Sequence, residues 1–351
     1  MSRAQKGGRR RLDASVPPEY DLPTREPRLD SPGAARFVMV LVFLGWVAGT
    51  AGAATSIAAV DTPASIVRPS AALLMVVFAI GLTHRGGGHM RIWLPVTAAL
   101  GLAAVTIETN VLLTSAAAVT AILSSVWAVL VTRPVTTAIG AIREFALALL
   151  VAMSGTIGVA AWNAPVDYQR FNLVVLTVSL GLAITLVWNL GAGLHGLGRQ
   201  NLTILLGVAG LVMLVIAYSS FVRTHGSQSL VEGFTKLVIW TRTTFHGAPR
   251  PIEVLIGFPA LIVGVSLRSK RREGWWILVF AVIGTAVLTT SLVSPGAYPK
   301  YIGLSTLYSS VFGLIVGLIL RRQFMKEPSS RAARAIAPVV RVEPPRFAAL
   351  K

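Results

Sequence analysis

The 351-residue sequence contains no cysteine and few charged residues. Without cysteine the chain can form no disulfide bond, no thiolate metal site and no cysteine nucleophile. Charged residues make up 13% of the chain, against about a quarter in typical soluble domains. The five histidines show no metal-ligand spacing, and no HExxH, GxSxG or Walker A motif occurs. The sequence therefore predicts no metal, no cofactor and no catalytic residue.

Apolar runs make up most of what is present. Hydrophobic residues account for 54% of the chain, and runs close to the length of a bilayer crossing recur between residues 37 and 320. We predict an all-α, polytopic integral membrane helix bundle of about ten transmembrane helices, with eight or nine as the alternatives. The predicted spans are 37–60, 68–83, 92–107, 111–131, 142–162, 171–194, 202–222, 252–268, 275–293 and 301–320.

The second and third spans are the least certain in length. Each apolar run is about 16 residues, or roughly 24 Å of helix at 1.5 Å per residue. That falls short of a hydrocarbon core about 30 Å thick. The sequence HRGGGHMR at 84–91 is therefore either a loop or the tip of a re-entrant hairpin. Removing both spans leaves eight crossings without changing the orientation of the rest.

The basic residues predict the orientation of the chain. Of the 32 Lys and Arg residues, 25 fall in the tails and loops on one side of the predicted membrane and seven on the other. This positive-inside pattern indicates a bacterial inner membrane protein with both termini cytoplasmic. Because these cations flank apolar spans, we do not expect nucleic-acid binding in spite of the net charge of +18. The lipid bilayer is the expected partner.

Two tails flank the transmembrane domain, which is predicted to cover residues 37–320. Residues 1–36 and 321–351 are basic and proline-containing, with few large apolar groups. Such segments bury too little surface to offset the cost of ordering the chain. We predict two disordered cytoplasmic tails, and no soluble catalytic domain at either end.

The outer connection at 223–251 is the only long loop. Within it, Leu230, Phe234, Leu237, Val238, Thr241 and Phe245 recur at helical spacing. Loops of this length usually have structure or function of their own. We predict one amphipathic helix in the outer interface, with Trp240 near the headgroups. Gly247 is its predicted C-cap, and Pro249 and Pro251 stop it from continuing.

Charged side chains in and after this helix form the candidate substrate-binding site: Arg242, His246, Arg250, Glu253 and Lys300. Guanidinium groups offer paired donors to phosphate and carboxylate. The first hypothesis is that this cluster binds an anionic or polyprenyl-phosphate lipid, or another small anion. The alternative is structural: the cations snorkel to headgroups, and Glu253 simply pairs with Arg250.

Two further residues are candidate transport or coupling positions. Glu144 lies one turn inside the predicted fifth span, near its N-terminus, where a carboxylate is favoured. Ionisable groups within spans are costly and suggest function. Asn189 closes the sixth span beside several glycines, and its amide can bridge helices. For both residues the structural interpretation stays open.

Three functions are compatible with this pattern. Ten helices with short loops favour a transporter, permease or flippase-like protein for a small or lipid-linked anionic substrate. The basic outer loop is also compatible with a cell-envelope lipid or glycan enzyme, or its accessory membrane subunit. The third possibility is a non-catalytic membrane scaffold.

Overall fold

The computed structural model describes residues 32–58, 62–190, 228–270, 274–325, 343–344 and 346–350. All regular secondary structure in these residues is helical, which confirms the all-α prediction. The helices are α1 (Pro32–Ala54), α2 (Ala64–Gly86), α3 (Met90–Ile107), α4 (Asn110–Leu130), α5 (Ala138–Ala161), α6 (Tyr168–Asn189), α7 (Gln228–Phe245), α8 (Phe258–Leu267), α9 (Gly274–Thr289) and α10 (Pro299–Phe324). A π-helical segment (Glu253–Gly257) leads into α8, and a 3₁₀ turn (Ser291–Val293) follows α9.

Eight helices in the described part of the chain are long and apolar enough to cross a membrane. They correspond to eight of the ten predicted spans, so a polytopic membrane bundle is the observed fold. The predicted span at 252–268 is a shorter apolar helix, Glu253–Leu267. The predicted span at 202–222 lies outside the described residues, as do residues 1–31 of the predicted N-terminal tail.

The second and third spans are longer than predicted. Helix α2 has 23 residues and α3 has 18, or about 35 and 27 Å at 1.5 Å per residue. The apolar run in α2 stops at Leu82, but the helix continues because the Arg85 side chain is fully buried and hydrogen-bonded. It ends at Gly86, and the next residue, Gly87, has a φ of 68°, the left-handed C-cap conformation that glycine adopts without strain.

Local capping fixes the starts of two helices. The Thr137 side chain accepts a hydrogen bond from the Gly140 amide at the start of α5. The Asp167 carboxylate accepts hydrogen bonds from the Gln169 and Arg170 amides at the start of α6. Each cap satisfies amide donors that have no partner within the helix.

Glycines allow the central helices to pack closely. A Cβ atom added to Gly257 would lie 2.4 Å from the Gly284 Cα, so the end of the π-helical segment and the middle of α9 cross backbone to backbone. Gly313 and Gly317 form a GxxxG pair through which α10 packs on Phe258 and neighbouring residues of α8. Without a hydrophobic force between helices in lipid, such close contact is a main source of their association.

The predicted outer helix is present as α7, but its end differs from the prediction. Helix α7 stops at Phe245, and His246 rather than Gly247 takes the left-handed conformation, with φ of 55°. Gly247 is buried instead, and a Cβ there would lie 2.9 Å from the Ser305 amide nitrogen. Its role is therefore to let the loop approach α10. Ile239, Trp240 and Phe245 are about half exposed.

The helix ends form two groups. We call the end that carries residues 84–90, 130–144 and 265–270 the basic end, and the end that carries 108–109, 162–167 and 246–252 the opposite end.

The predicted C-terminal tail is not wholly detached from the bundle. Residues 343–344 and 346–350, which we call the tail segment, contact the basic end.

Candidate functional site

The opposite end contains a buried ion pair between two of the predicted site residues. The Arg250 guanidinium donates through Nη1 to Glu253 Oε1. The Glu253 side chain is fully buried, whereas that of Arg250 keeps 19% exposure. Burying one carboxylate is costly unless a cation accompanies it. Glu253 therefore needs Arg250 as its partner, while part of the Arg250 side chain is still exposed at the opposite end.

Local sequence places Glu253 at a special backbone position. Pro249 and Pro251 prevent α7 from continuing, and the chain re-enters a helix at Pro251. Glu253 is the first residue of the π-helical segment. Short π-helical stretches within helices are rare and frequently mark functional sites. The second carboxylate oxygen, Oε2, is buried and has no hydrogen-bond partner among the described residues.

Hydroxyl groups of α10 line the rest of the site. Arg250 Nη2 donates to Thr306 Oγ1 at 2.8 Å, and the Arg250 amide donates to Ser309 Oγ at 2.8 Å. One turn earlier, Ser305 Oγ accepts from the Ala248 amide at 3.0 Å. These contacts hold the loop between α7 and the π-helical segment against α10.

Helices α6 and α9 complete the surroundings of the pair. The half-buried Tyr168 phenol at the start of α6 interacts electrostatically with both Arg250 and Glu253. Next to it, Thr290 donates a hydrogen bond to Asn172 Oδ1 at 2.8 Å. The site is thus a polar cluster of one cation, one anion and several hydroxyls, set among apolar helices. We call it the Arg250–Glu253 site.

The other predicted substrate-binding residues do not join this pair. Arg242 stacks on the Tyr301 ring, 4.5 Å from its centroid, and donates to the Gly296 carbonyl oxygen at 3.4 Å. His246 and Lys300 are exposed. Arg242 and Lys300 both lie near the start of α10, on the surface rather than in this cluster.

The two predicted coupling residues lie apart from the Arg250–Glu253 site. Glu144 is fully buried at the basic end, where each carboxylate oxygen accepts two hydrogen bonds. Its partners are Arg143, the Arg133 amide and Arg346 of the tail segment. Asn189 is exposed at the end of α6. Glu108, at the opposite end, pairs with Arg68 and not with Arg250.

Sequence reasoning missed several residues of the site. Thr306 and Ser309 lie one turn apart on α10, together with Ser305 and Ser310, and all four are buried. This i, i+1, i+4, i+5 spacing of hydroxyls on one helix face was the available signal. Tyr168 gave no such signal, because only the packing of α6 brings it near a residue 85 positions later in the chain.

No protein-family model, curated protein or solved structure matches this chain. The chemistry of the site therefore follows from its own geometry. Arg250 can offer its guanidinium to an external carboxylate or phosphate only if Glu253 gives it up. Glu253, once unpaired and still buried, would be stable only in its protonated, neutral form.

Proposed function

We propose that this protein is a multi-pass membrane transporter, of permease or flippase type, for a small or lipid-linked anion. The observation that carries the proposal is the Arg250–Glu253 pair: a buried carboxylate on a π-helical segment holds a guanidinium that is still 19% exposed. Charged groups buried within membrane helices default to functional sites.

In the proposed mechanism the substrate anion replaces Glu253 on Arg250. Glu253 takes up a proton as it is displaced, so that one proton enters the protein for each anion bound. Thr306 and Ser309 supply further donors to the substrate oxygens. Exposed Trp240 and Phe245 beside Arg242 on α7 are suited to the headgroup region, which supports a substrate that arrives from the membrane.

The location proposed for the protein is a bacterial inner membrane, with both termini cytoplasmic and the Arg250–Glu253 site opening to the outer side. The distribution of Lys and Arg supports this orientation. The basic end of the bundle, which carries Arg268 and the paired arginines Arg321 and Arg322, would then face the cytoplasm.

The test begins with ligand-induced stabilisation of the purified protein in detergent. Its eight tryptophans allow thermal unfolding to be followed by intrinsic fluorescence. The probes are inorganic phosphate, succinate, glycerol phosphate and a short-chain polyprenyl phosphate. We expect one of them to stabilise the wild type and to lose that effect in Arg250→Ala. Arg170→Ala is the matched control, because the Arg170 side chain is 88% exposed.

A stabilising anion is then tested for uptake into proteoliposomes with and without a proton gradient. Glu253→Gln removes the competitor of the substrate, so we expect binding at least about tenfold tighter and uptake that no longer responds to the gradient. The proposal fails if none of the probes stabilises the wild type, or if the anion stabilises Arg250→Ala as much as the wild type. It also fails if Glu253→Gln still accumulates the anion in response to the gradient.

A further inference from the structure

The basic end contains a second buried cluster of charges, built around the tail segment. Arg85 at the end of α2 and Arg268 directly after α8 both have fully buried side chains. Arg268 Nε lies 3.1 Å from Glu343 Oε1, and Glu343 also interacts electrostatically with Arg85. One carboxylate of the tail segment thus serves two buried guanidinium groups.

Backbone oxygens hold these two guanidinium groups in place. Arg85 donates to the Leu130 and Ala348 carbonyl oxygens, at 3.5 and 2.8 Å. Arg268 donates to the Thr132 carbonyl oxygen and stacks on Trp275, 4.2 Å from the ring centroid. Both side chains therefore keep a fixed direction that does not depend on Glu343 alone.

Arg268 nevertheless has unused hydrogen-bonding capacity. Its Nη1 is buried without a hydrogen-bond partner among the described residues, and neither oxygen of Glu343 makes a hydrogen bond of good geometry there. The Arg268–Glu343 contact is thus a charge contact rather than a matched, two-pronged pair. An oxyanion that accepts hydrogen bonds from both Nε and Nη1 of Arg268 would satisfy this guanidinium better than Glu343 does.

The second ion pair of the tail segment contrasts with the first. Arg346 donates to both oxygens of Glu144, each at 2.8 Å, and to the Val131 carbonyl oxygen at 2.9 Å. The Glu144 carboxylate is thereby fully hydrogen-bonded, and its charge also acts on Arg268. Arg85, Arg268 and Arg346 thus face the carboxylates of Glu343 and Glu144, so these five groups together carry one excess positive charge.

The tail segment is attached mainly by polar contacts. The His84 ring hydrogen-bonds the Phe347 carbonyl oxygen at 2.8 Å, and the Leu350 amide donates to the Arg85 carbonyl oxygen at 3.0 Å. The Phe347 side chain is 47% exposed. Leu350 packs against the hydrophobic core, but the other named contacts are polar, so release of the segment costs less than opening the helical core. A groove of about 410 Å³, lined in part by Arg143 and Ser269, borders the cluster.

We propose that Arg85 and Arg268 form a binding site for a phosphate group, which the Glu343 carboxylate occupies in this structure as a substitute ligand. The tail segment is then a displaceable plug at the basic end. A phosphate group brings more negative charge than one carboxylate and can accept from several guanidinium donors at once. This site is distinct from the Arg250–Glu253 site, and the inference does not depend on the proposed transport.

The first test is anion-dependent stability of Glu343→Gln in the full chain. The amide keeps the shape of the side chain but removes its charge, so Arg85 and Arg268 lose their carboxylate. We expect the unfolding temperature to fall by about 3 °C or more in chloride and to be largely restored in inorganic phosphate at equal ionic strength. Glu232→Gln on α7 is the matched control, because Glu232 is exposed.

Phosphate stabilises proteins in general, and the control variant measures the size of that general effect so that it can be subtracted. Wild type and Glu232→Gln report that effect, and the gain of Glu343→Gln in phosphate must exceed it. Adding Arg268→Gln to Glu343→Gln is expected to abolish the excess. If Glu343→Gln loses the same stability in chloride and phosphate, or loses none, the carboxylate does not occupy a phosphate site and the inference is overturned.

A second measurement uses the wild type and does not depend on any variant folding. Hydrogen exchange followed by mass spectrometry reports protection of the amides at 346–350. We expect this protection to fall as a phosphate ligand displaces the segment, while protection in α9 stays constant. The inference is overturned if the amides at 346–350 stay equally protected at saturating inorganic phosphate and also in membranes that contain a phosphate-bearing lipid.

The two arms separate the sources of the phosphate group. One arm adds inorganic phosphate to protein in nanodiscs of phosphatidylcholine alone. The other uses nanodiscs that contain phosphatidic acid and no added phosphate. Loss of protection only in the first arm assigns the site to a soluble phosphate compound, and loss only in the second assigns it to a lipid headgroup.

Discussion

The contact between Gly257 and Gly284 leads to a prediction whose size can be worked out from the structure. A Cβ at position 257 would lie 2.4 Å from the Gly284 Cα and 2.8 Å from its amide nitrogen. Those atoms belong to the backbone of α9, so no rotamer change can relieve the clash. To reach an ordinary contact, the two helices must separate by about 1 Å, and the dense packing around them resists this.

We therefore expect Gly257→Ala to destabilise the protein by about 2–3 kcal/mol, the upper part of the range for overpacking in a filled core. For a chain of this size that corresponds to a fall in unfolding temperature of roughly 3–4 °C. The assay is thermal unfolding in detergent, followed by tryptophan fluorescence. Because Glu253 lies one helical turn before Gly257, the same variant is expected to weaken anion binding at the Arg250–Glu253 site.

The control for Gly257→Ala is Gly303→Ala on α10. A Cβ at Gly303 meets no atom within 4 Å, and alanine is the better helix former by about 1 kcal/mol. We expect this variant to be as stable as the wild type or slightly more stable. If Gly257→Ala were equally neutral, the backbone contact between the π-helical segment and α9 would be refuted.

Two further predictions concern the basic end and the membrane topology. Glu144→Gln leaves Arg346 without its carboxylate and is expected to lower the free energy of unfolding by about 3 kcal/mol. When Arg346→Gln is added, we expect the combined loss of stability to be smaller than the sum of the two single losses by at least about 1 kcal/mol. Strictly additive losses in thermal unfolding would show that the tail segment does not dock. The chain has no cysteine, so single cysteines introduced at the exposed positions Thr136 and Lys300 can be labelled with a membrane-impermeant maleimide. We expect the two positions to be labelled from opposite sides of the membrane. Labelling of both from the same side would contradict the bundle topology.

Sequence reasoning was most successful where the information is local. The apolar runs predicted all eight long helices of the described part of the chain, because the length and hydropathy of a membrane helix are properties of one segment. The amphipathic spacing between Leu230 and Phe245 predicted α7. Boundaries were less accurate: α2 continues past its apolar run, since burial of Arg85 depends on partners elsewhere in the fold.

The candidate site was predicted only in part. Arg250 and Glu253 were identified because they are three residues apart and close to a predicted span. Arg242, His246 and Lys300 were grouped with them from loop position alone, and the structure leaves these three on the surface. Whether a loop side chain turns inward depends on the groups across from it, here the hydroxyls of α10, and no local pattern encodes that pairing.

By itself, the sequence determined that this chain is an all-helical membrane bundle, and its charge distribution predicted an orientation. Both follow from the transfer of single segments from water to lipid. Only the tertiary structure decided which charges are buried together. Arg85 meets the Ala348 carbonyl oxygen across 263 positions of sequence, and Arg250 meets Thr306 across 56. A buried charge must find a partner wherever the packing brings one, so these sites are products of helix packing rather than of any segment alone.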